Sequence, residues 1–146
     1  MIGSTQIIQE EGLTRGFQLD NYALLELLGR GGEGTVWSAV DGRRQRIVAL
    51  KIVPRPLDEI AVGQVTREFE RQVHLIASLD HPHILPLYEF NSADAYFYFA
   101  MRYSSYGPLT RRLLQGPLSP DETLAMTAQI AAALTYLHQK EIVHRD

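Results

Sequence analysis

Leu28-Gly29-Arg30-Gly31-Gly32-Glu33-Gly34-Thr35-Val36 is the stretch on which the reading of this chain turns. It fits the pattern G-x-G-x-x-G-x-V. Glycines spaced in this way let a backbone bend tightly and approach phosphate oxygens without a Cβ in the way, so that peptide N–H groups can donate to them. A bare glycine hairpin turn has the same composition, so the flanks decide between the two. A dinucleotide-binding glycine motif follows a strand and opens a helix. Here Tyr22 to Leu28 enters as a strand, and Thr35 to Val40, β-branched and aromatic, leaves as another.

Outward from this loop, Asp41-Gly42 reads as a turn and Ile47 to Val53 as a third strand, closed by Pro54 and Pro56. Lys51 lies inside that apolar run, in Val48-Ala49-Leu50-Lys51. A charge there is costly unless something anionic meets it; the plain alternative is an edge-strand lysine facing water. From Ala61 to Leu79 the period changes to a helical one, with Val62, Val65, Phe69, Val73, Ile76 and Leu79 recurring, until Asp80-His81-Pro82 ends it. Leu85 to Phe90 and Ala95 to Met101 read as two further strands around an Asn91-Ser92-Ala93-Asp94 turn. The expected fold is α+β, a five-stranded antiparallel sheet with one helix.

A linker, Arg102 to Pro108, then leads to a short helical piece at Leu109 to Leu114. Ser119-Pro120-Asp121-Glu122 announces a longer helix, with an N-cap serine, a first-turn proline and a glutamate placed for a capping box. It runs to Gln139, and Ile142-Val143 precedes the closing His144-Arg145-Asp146. Thr123 to Gln139 carries no formal charge and is apolar around most of its circumference, a pattern that expects burial from several sides. Too little chain accompanies it here to provide that burial.

Composition narrows the classes. The 146 residues, 45% apolar and 21% charged, suffice for a globular domain with a core. A net charge of -3 gives no electrostatic case for nucleic acid, and no basic run suggests a membrane surface. The absence of cysteine excludes disulfides, thiolate chemistry and Cys-based zinc sites. Met1 to Phe17 has no basic start followed by an apolar core, so no signal peptide is expected, and a cytoplasmic location fits. His81 and His83, flanking a proline without further ligands nearby, read as turn residues rather than a metal site. Tyr96, Phe97, Tyr98 and Phe99 read as strand packing rather than a stacking platform for bases.

Taken together, the glycine loop, Val48-Ala49-Leu50-Lys51, Leu79-Asp80-His81-Pro82-His83-Ile84 and Ile142-Val143-His144-Arg145-Asp146 resemble the ordered motifs of a protein kinase, and the short loops resemble bacterial kinases of the eukaryotic Ser/Thr type. The resemblance covers Asn21 to Asp146. It implies residues 1–20 as a flexible leader, 21–101 as the N-lobe, 102–108 as the hinge and 109–146 as an incomplete helical C-lobe. It further implies ATP as ligand, with Gly29, Gly31 and Gly34 covering the phosphates and Lys51 orienting them. Leu28, Val36 and Ala49 would line the adenine site, Met101 would be the gatekeeper, and Arg102 and Ser104 would offer hinge backbone groups. Asp146 would accept the proton of the hydroxyl on a protein substrate.

Two departures qualify that implication. Counting back from His81, the position of the helix glutamate that pairs with the lysine falls on Gln72, with Glu68 one turn earlier as a substitute. Glutamine can accept a hydrogen bond but brings no charge. The Mg2+ ligands of the family, the catalytic-loop Asn and the Asp of Asp-Phe-Gly, follow His-Arg-Asp and so have no counterpart in these residues. The isolated chain is therefore expected to be inactive. Alternatives are a pseudokinase or truncated, non-catalytic nucleotide-binding or interaction module, and a small-molecule kinase of related fold.

Overall fold

The β-branched run around Lys51 favours an extended strand, and the rest of the sheet is arranged about it. The computed structural model describes residues 12–32, 34–55, 67 and 75–144. Six strands form one antiparallel sheet: β1 (Gln18–Leu19), β2 (Tyr22–Gly31), β3 (Gly34–Asp41), β4 (Arg46–Pro54), β5 (Leu87–Ala93) and β6 (Tyr96–Arg102), in the order β1-β2-β3-β4-β6-β5. The five expected strands are joined by β1, which pairs Gln18 with Ala23 and Leu19 with Tyr22. The stretch assigned to the leader thus contributes to the sheet. Leu13 and Leu19 enter the core with Phe17 packed beside them, because a hydrophobic strap gains more from this cover than from water. Residues 1–11 lie outside the described part.

Strand alternation divides the sheet into two faces. Leu24 on β2, Trp37 and Ala39 on β3, Val48, Leu50 and Ile52 on β4, and Tyr98 and Ala100 on β6 make one contiguous buried cluster. Two phenol-to-carboxylate bonds reach across the sequence within this unit. Tyr22 donates to Glu89 at 2.8 Å and Tyr98 to Asp20 at 2.8 Å. They tie the first strands to the last two, and the Tyr22 and Tyr98 rings meet edge to face at 5.5 Å. Burial, followed by the bond to Glu89, pushes the Tyr22 phenol up to about 12.

The chain divides into two compact units: Met1–Ala77 with Leu87–Tyr103, and Ser78–Pro86 with Ser104–Asp146. The sheet belongs to the first. Of the helix expected at 61–79, Arg67 and residues 75–77 are helical, and Ser78 and Leu79 lie past its end, two residues earlier than expected; 61–66 and 68–74 lie outside the described residues. The second unit holds α1 (Leu109–Leu113) and α2 (Pro120–Gln139). The capping box forms as read: Ser119 Oγ accepts from the Glu122 N–H at 3.2 Å, and the Glu122 carboxylate accepts from the Ser119 N–H at 2.7 Å. Arg112 reaches the same carboxylate at 3.1 Å. On α2 only Ala133 and Leu137 are buried, whereas Leu124 is 72% and Ile130 51% exposed, so the apolar circumference is largely uncovered. His81 and His83 are turn residues, as expected: the His83 N–H donates to His81 Nδ1 at 3.1 Å, and the His81 ring lies 5.1 Å from that of Tyr136. No described helix is long and apolar enough to cross a membrane.

Asp41, which the sequence marks only as a turn residue, is a fully buried carboxylate at the end of β3. Its Oδ1 accepts from the N–H groups of Arg43 and Arg44, each at 3.1 Å, and from Asn21 Nδ2 at 3.0 Å. Its Oδ2 faces Arg46 Nε at 3.6 Å and Arg44 at 3.7 Å. Burial pushes this carboxyl up, but the Arg44 and Arg43 N–H groups and the charges of Arg44 and Arg46 outweigh it and hold it below the usual carboxylate range. Replacing Asp41 by Ala leaves these donors unmatched and is expected to destabilise the fold by about 3 kcal/mol in urea unfolding. Because the folded-state pKa lies below the unfolded value, the stability from this group is present above about pH 4 and is lost as pH falls through the folded value. The Asp41→Ala protein should therefore show a flatter loss of stability on acidification than the parent.

Candidate active site

The candidate site residues of β3, β4 and β6 occupy the other face of the same strands. Lys51 pairs with Val36 on β3 and with Phe99 on β6; Ala49 pairs with Ser38 and with Met101. Directly opposite residues share a face and stand about 5 Å apart. Val36, Ala49, Lys51 and Met101 are therefore set in one small patch, backed by the Val48, Leu50 and Ile52 that fill the core side. Ala49 is buried, while Val36, Lys51 and Met101 are half-buried. A cation between Val36 and Phe99, with Ala49 and Met101 beside it, suits a ligand that has an anionic end and a flat apolar end.

The glycine strand completes the patch. Gly29 lies opposite Val36, and Gly31 opposite Gly34, where the hairpin turns. A Cβ added at Gly29 would meet nothing within 4 Å, and one at Gly31 would make only ordinary contact with Gly34 O at 3.8 Å. Packing does not demand glycine at either position, and without a side chain both leave the backbone open to close approach. Gly34 differs. With φ at +152° and an added Cβ that would run into the Ile52 carbonyl of the paired strand β4, it is glycine because the backbone itself leaves no room for a side chain. Sequence reading assigned all three to phosphate cover; for Gly34 the packing of the two strands is a sufficient cause.

Two irregularities separate β2 from β3, one between Leu24 and Glu26 and one between Leu27 and Gly29. They make Leu25 and Leu28 the extra residues, and Leu28, expected to line the adenine site, is 43% exposed on the second bulge. Of the hinge residues, exposed Arg102 ends β6, while Ser104 belongs to the second unit, where its carbonyl accepts from the Gly107 N–H at 3.2 Å. Glu33, Glu68, Gln72, Arg145 and Asp146 lie outside the described residues. Among the described residues no group of three or more His, Cys, Asp or Glu side chains could hold a metal ion. Sequence reading passed over Ser38, which the register places beside Ala49. The available signal is a hydroxyl set between Trp37 and Ala39 in the apolar middle of the strand.

Comparison with known proteins bears on this arrangement directly. Residues 22–146 match the family model described as the protein kinase domain. The chain belongs to the protein kinase family. Among its relatives, serine/threonine-protein kinase PknD of Mycobacterium tuberculosis is 38% identical over 133 residues, covering 90% of this chain and 20% of PknD. Serine/threonine-protein kinase PrkC of Bacillus subtilis is 36% identical over 126 residues, covering 86% of this chain and 19% of PrkC. The crystal structure of the Mycobacterium tuberculosis PknI kinase domain superposes with a TM-score of 0.72 at 28% identity, over 92% of this chain and 54% of that one. The chain thus spans about half of that solved kinase domain and a smaller share of the full-length relatives. The sheet is the kinase N-lobe, and the helical unit is part of the C-lobe.

The two classes of glycine separate experimentally. Gly34→Ala is expected to lower folding stability by about 2 kcal/mol or more, since both the backbone angle and the Ile52 carbonyl oppose it. Gly31→Ala is expected to stay within about 0.5 kcal/mol of the parent. Thermal and urea unfolding of the two variants read this difference.

Proposed function

We propose that this chain supplies the ATP-holding lobe of a protein serine/threonine kinase. In the complete protein, the γ-phosphoryl group of ATP would pass to the hydroxyl of a protein substrate. The observation that carries this reading is the cross-strand row in which Lys51, between Val36 and Phe99, stands next to Ala49 and Met101, with Gly29 opposite Val36.

The residues fit such a ligand. Val36, Ala49 and Met101 offer an apolar platform for a purine base. Gly29 and Gly31 expose backbone without a side chain, and Lys51 brings a fixed positive charge for the α- and β-phosphates. Bound ATP would supply the transferable phosphoryl group. The work of this lobe is then positioning and charge neutralisation, which dominate phosphoryl transfer because little covalent chemistry falls to the protein. Asp146 is assigned the proton of the acceptor hydroxyl. Mg2+ is a family requirement, and the described residues hold no donor set for it.

A second reading, a nucleotide-binding module without catalysis, is favoured by Gln72 at the position where the family places the lysine's glutamate partner. Both readings require Lys51-dependent nucleotide binding. The purified chain is expected to bind a fluorescent ATP analogue, and Lys51→Ala to weaken that binding by about tenfold to a hundredfold, the worth of a charge-assisted hydrogen bond of roughly 1.5–3 kcal/mol. With labelled Mg-ATP and a basic protein substrate the same chain is expected to show no transfer. Equal binding by parent and Lys51→Ala would overturn the site assignment, and Lys51-dependent turnover would overturn the division of labour.

A further inference from the structure

Strand β2 spans Tyr22–Gly31 and faces Gly34–Asp41 of β3, which is paired without interruption; Leu25 and Leu28 are the surplus residues. A bulge interrupts the ladder, bends its strand and re-aims the side chains beyond it. It also leaves backbone groups in need of partners. Opposite the first bulge stands Ser38, 5% exposed. Its hydroxyl accepts from the Glu26 N–H at 3.2 Å and donates to the Glu26 carbonyl at 3.4 Å. A hydroxyl can do both at once, because it carries one donor and two acceptor lone pairs.

The consequence lies in register. Without the bulge at Leu25, each later residue of β2 would move one place along β3. Glu26 would come opposite Trp37 on the core face, and Gly29 opposite Thr35 instead of Val36. The backbone that lies beside Val36, one strand from Lys51, is therefore decided at Leu25. Ser38 also shares its face with Ala49, but its hydroxyl is already engaged with Glu26, so its effect on a ligand runs through β2.

We propose that Ser38 is a positioning residue for the glycine strand: its hydroxyl stitches the Leu25 bulge and so holds Gly29 and Gly31 in place against Val36 and Lys51. The proposal rests on the nucleotide reading given above and assigns to it a residue that touches neither phosphate nor base.

The test uses the chain itself, with three variants, a fluorescent ATP analogue and residue-resolved amide exchange. Ser38→Ala is expected to weaken binding by about fivefold to tenfold and to speed exchange at Glu26 through Gly31 by a similar factor, the loss of about one hydrogen bond. Exchange in β4 and β6 should be unchanged. Ser38→Thr keeps the hydroxyl and should restore slow exchange at Glu26. Asn21→Ala removes a bond to Asp41 at the opposite end of the hairpin and should lower the melting temperature without changing affinity. Binding by Ser38→Ala within twofold of a binding-competent parent overturns the proposal. So does a loss of affinity that Asn21→Ala reproduces at equal loss of stability, or a Ser38→Thr protein that exchanges like Ser38→Ala. Failure of the parent itself to bind the analogue would remove the nucleotide reading, and this proposal with it.

Discussion

The two-residue period of β4 is the constraint on which the rest depends. Val48, Leu50 and Ile52 are completely buried on one face, so Ala49 and Lys51 are committed to the other. A slip of one residue would exchange the faces, placing an ammonium group in the core and three aliphatic side chains outside it. Burying those three aliphatic side chains contributes roughly 1.5–3 kcal/mol each. The orientation of Lys51 is therefore enforced by side chains on the opposite, core face of the sheet.

Everything else in the lobe preserves that division. The pairings Val36 to Lys51 and Ala49 to Met101 extend it to both neighbouring strands. The Tyr22–Glu89 and Tyr98–Asp20 bonds, together with Leu13 and Leu19, close the core face by joining segments far apart in the sequence. Asp41 fixes the turn from which β4 sets out, and the bulges at Leu25 and Leu28 let β2 keep Leu27 opposite Trp37 while presenting Gly29 opposite Val36. Paired strands carrying Lys51 on one side and a glycine hairpin on the other suit the phosphate-positioning role proposed for this lobe.

What the sequence discloses and what it hides follow from range. The Ser119 capping box, the strand–glycine–strand order and the place of Lys51 rest on local chemistry, and each stands in the structure as read. The strap of Leu13 to Leu19 was hidden because a few apolar residues among Gln, Glu, Ser, Thr and Gly carry no period. The Tyr22–Glu89 bond joins distant parts of the chain, and no local pattern announces such a pair. Bulges are equally silent: Leu24-Leu25-Glu26-Leu27-Leu28 does not say which leucines are surplus. Asp41 looked like an ordinary turn former because a buried carboxylate shows itself only through the donors that gather round it. Gly34 shows the reverse case, a residue whose type was read correctly and whose cause lies in the backbone of Ile52.

The most direct test of this account is a methyl-resolved NMR titration of the chain with an ATP analogue. The methyl groups of Val36, Ala49 and Met101 should shift together on addition of ligand. Those of Val48, Leu50, Ile52 and Ala100, one residue away along the same strands but on the core face, should stay in place. Shifts centred on the second set, or divided evenly between the two, would contradict the assignment of the nucleotide to the Lys51 face of the sheet.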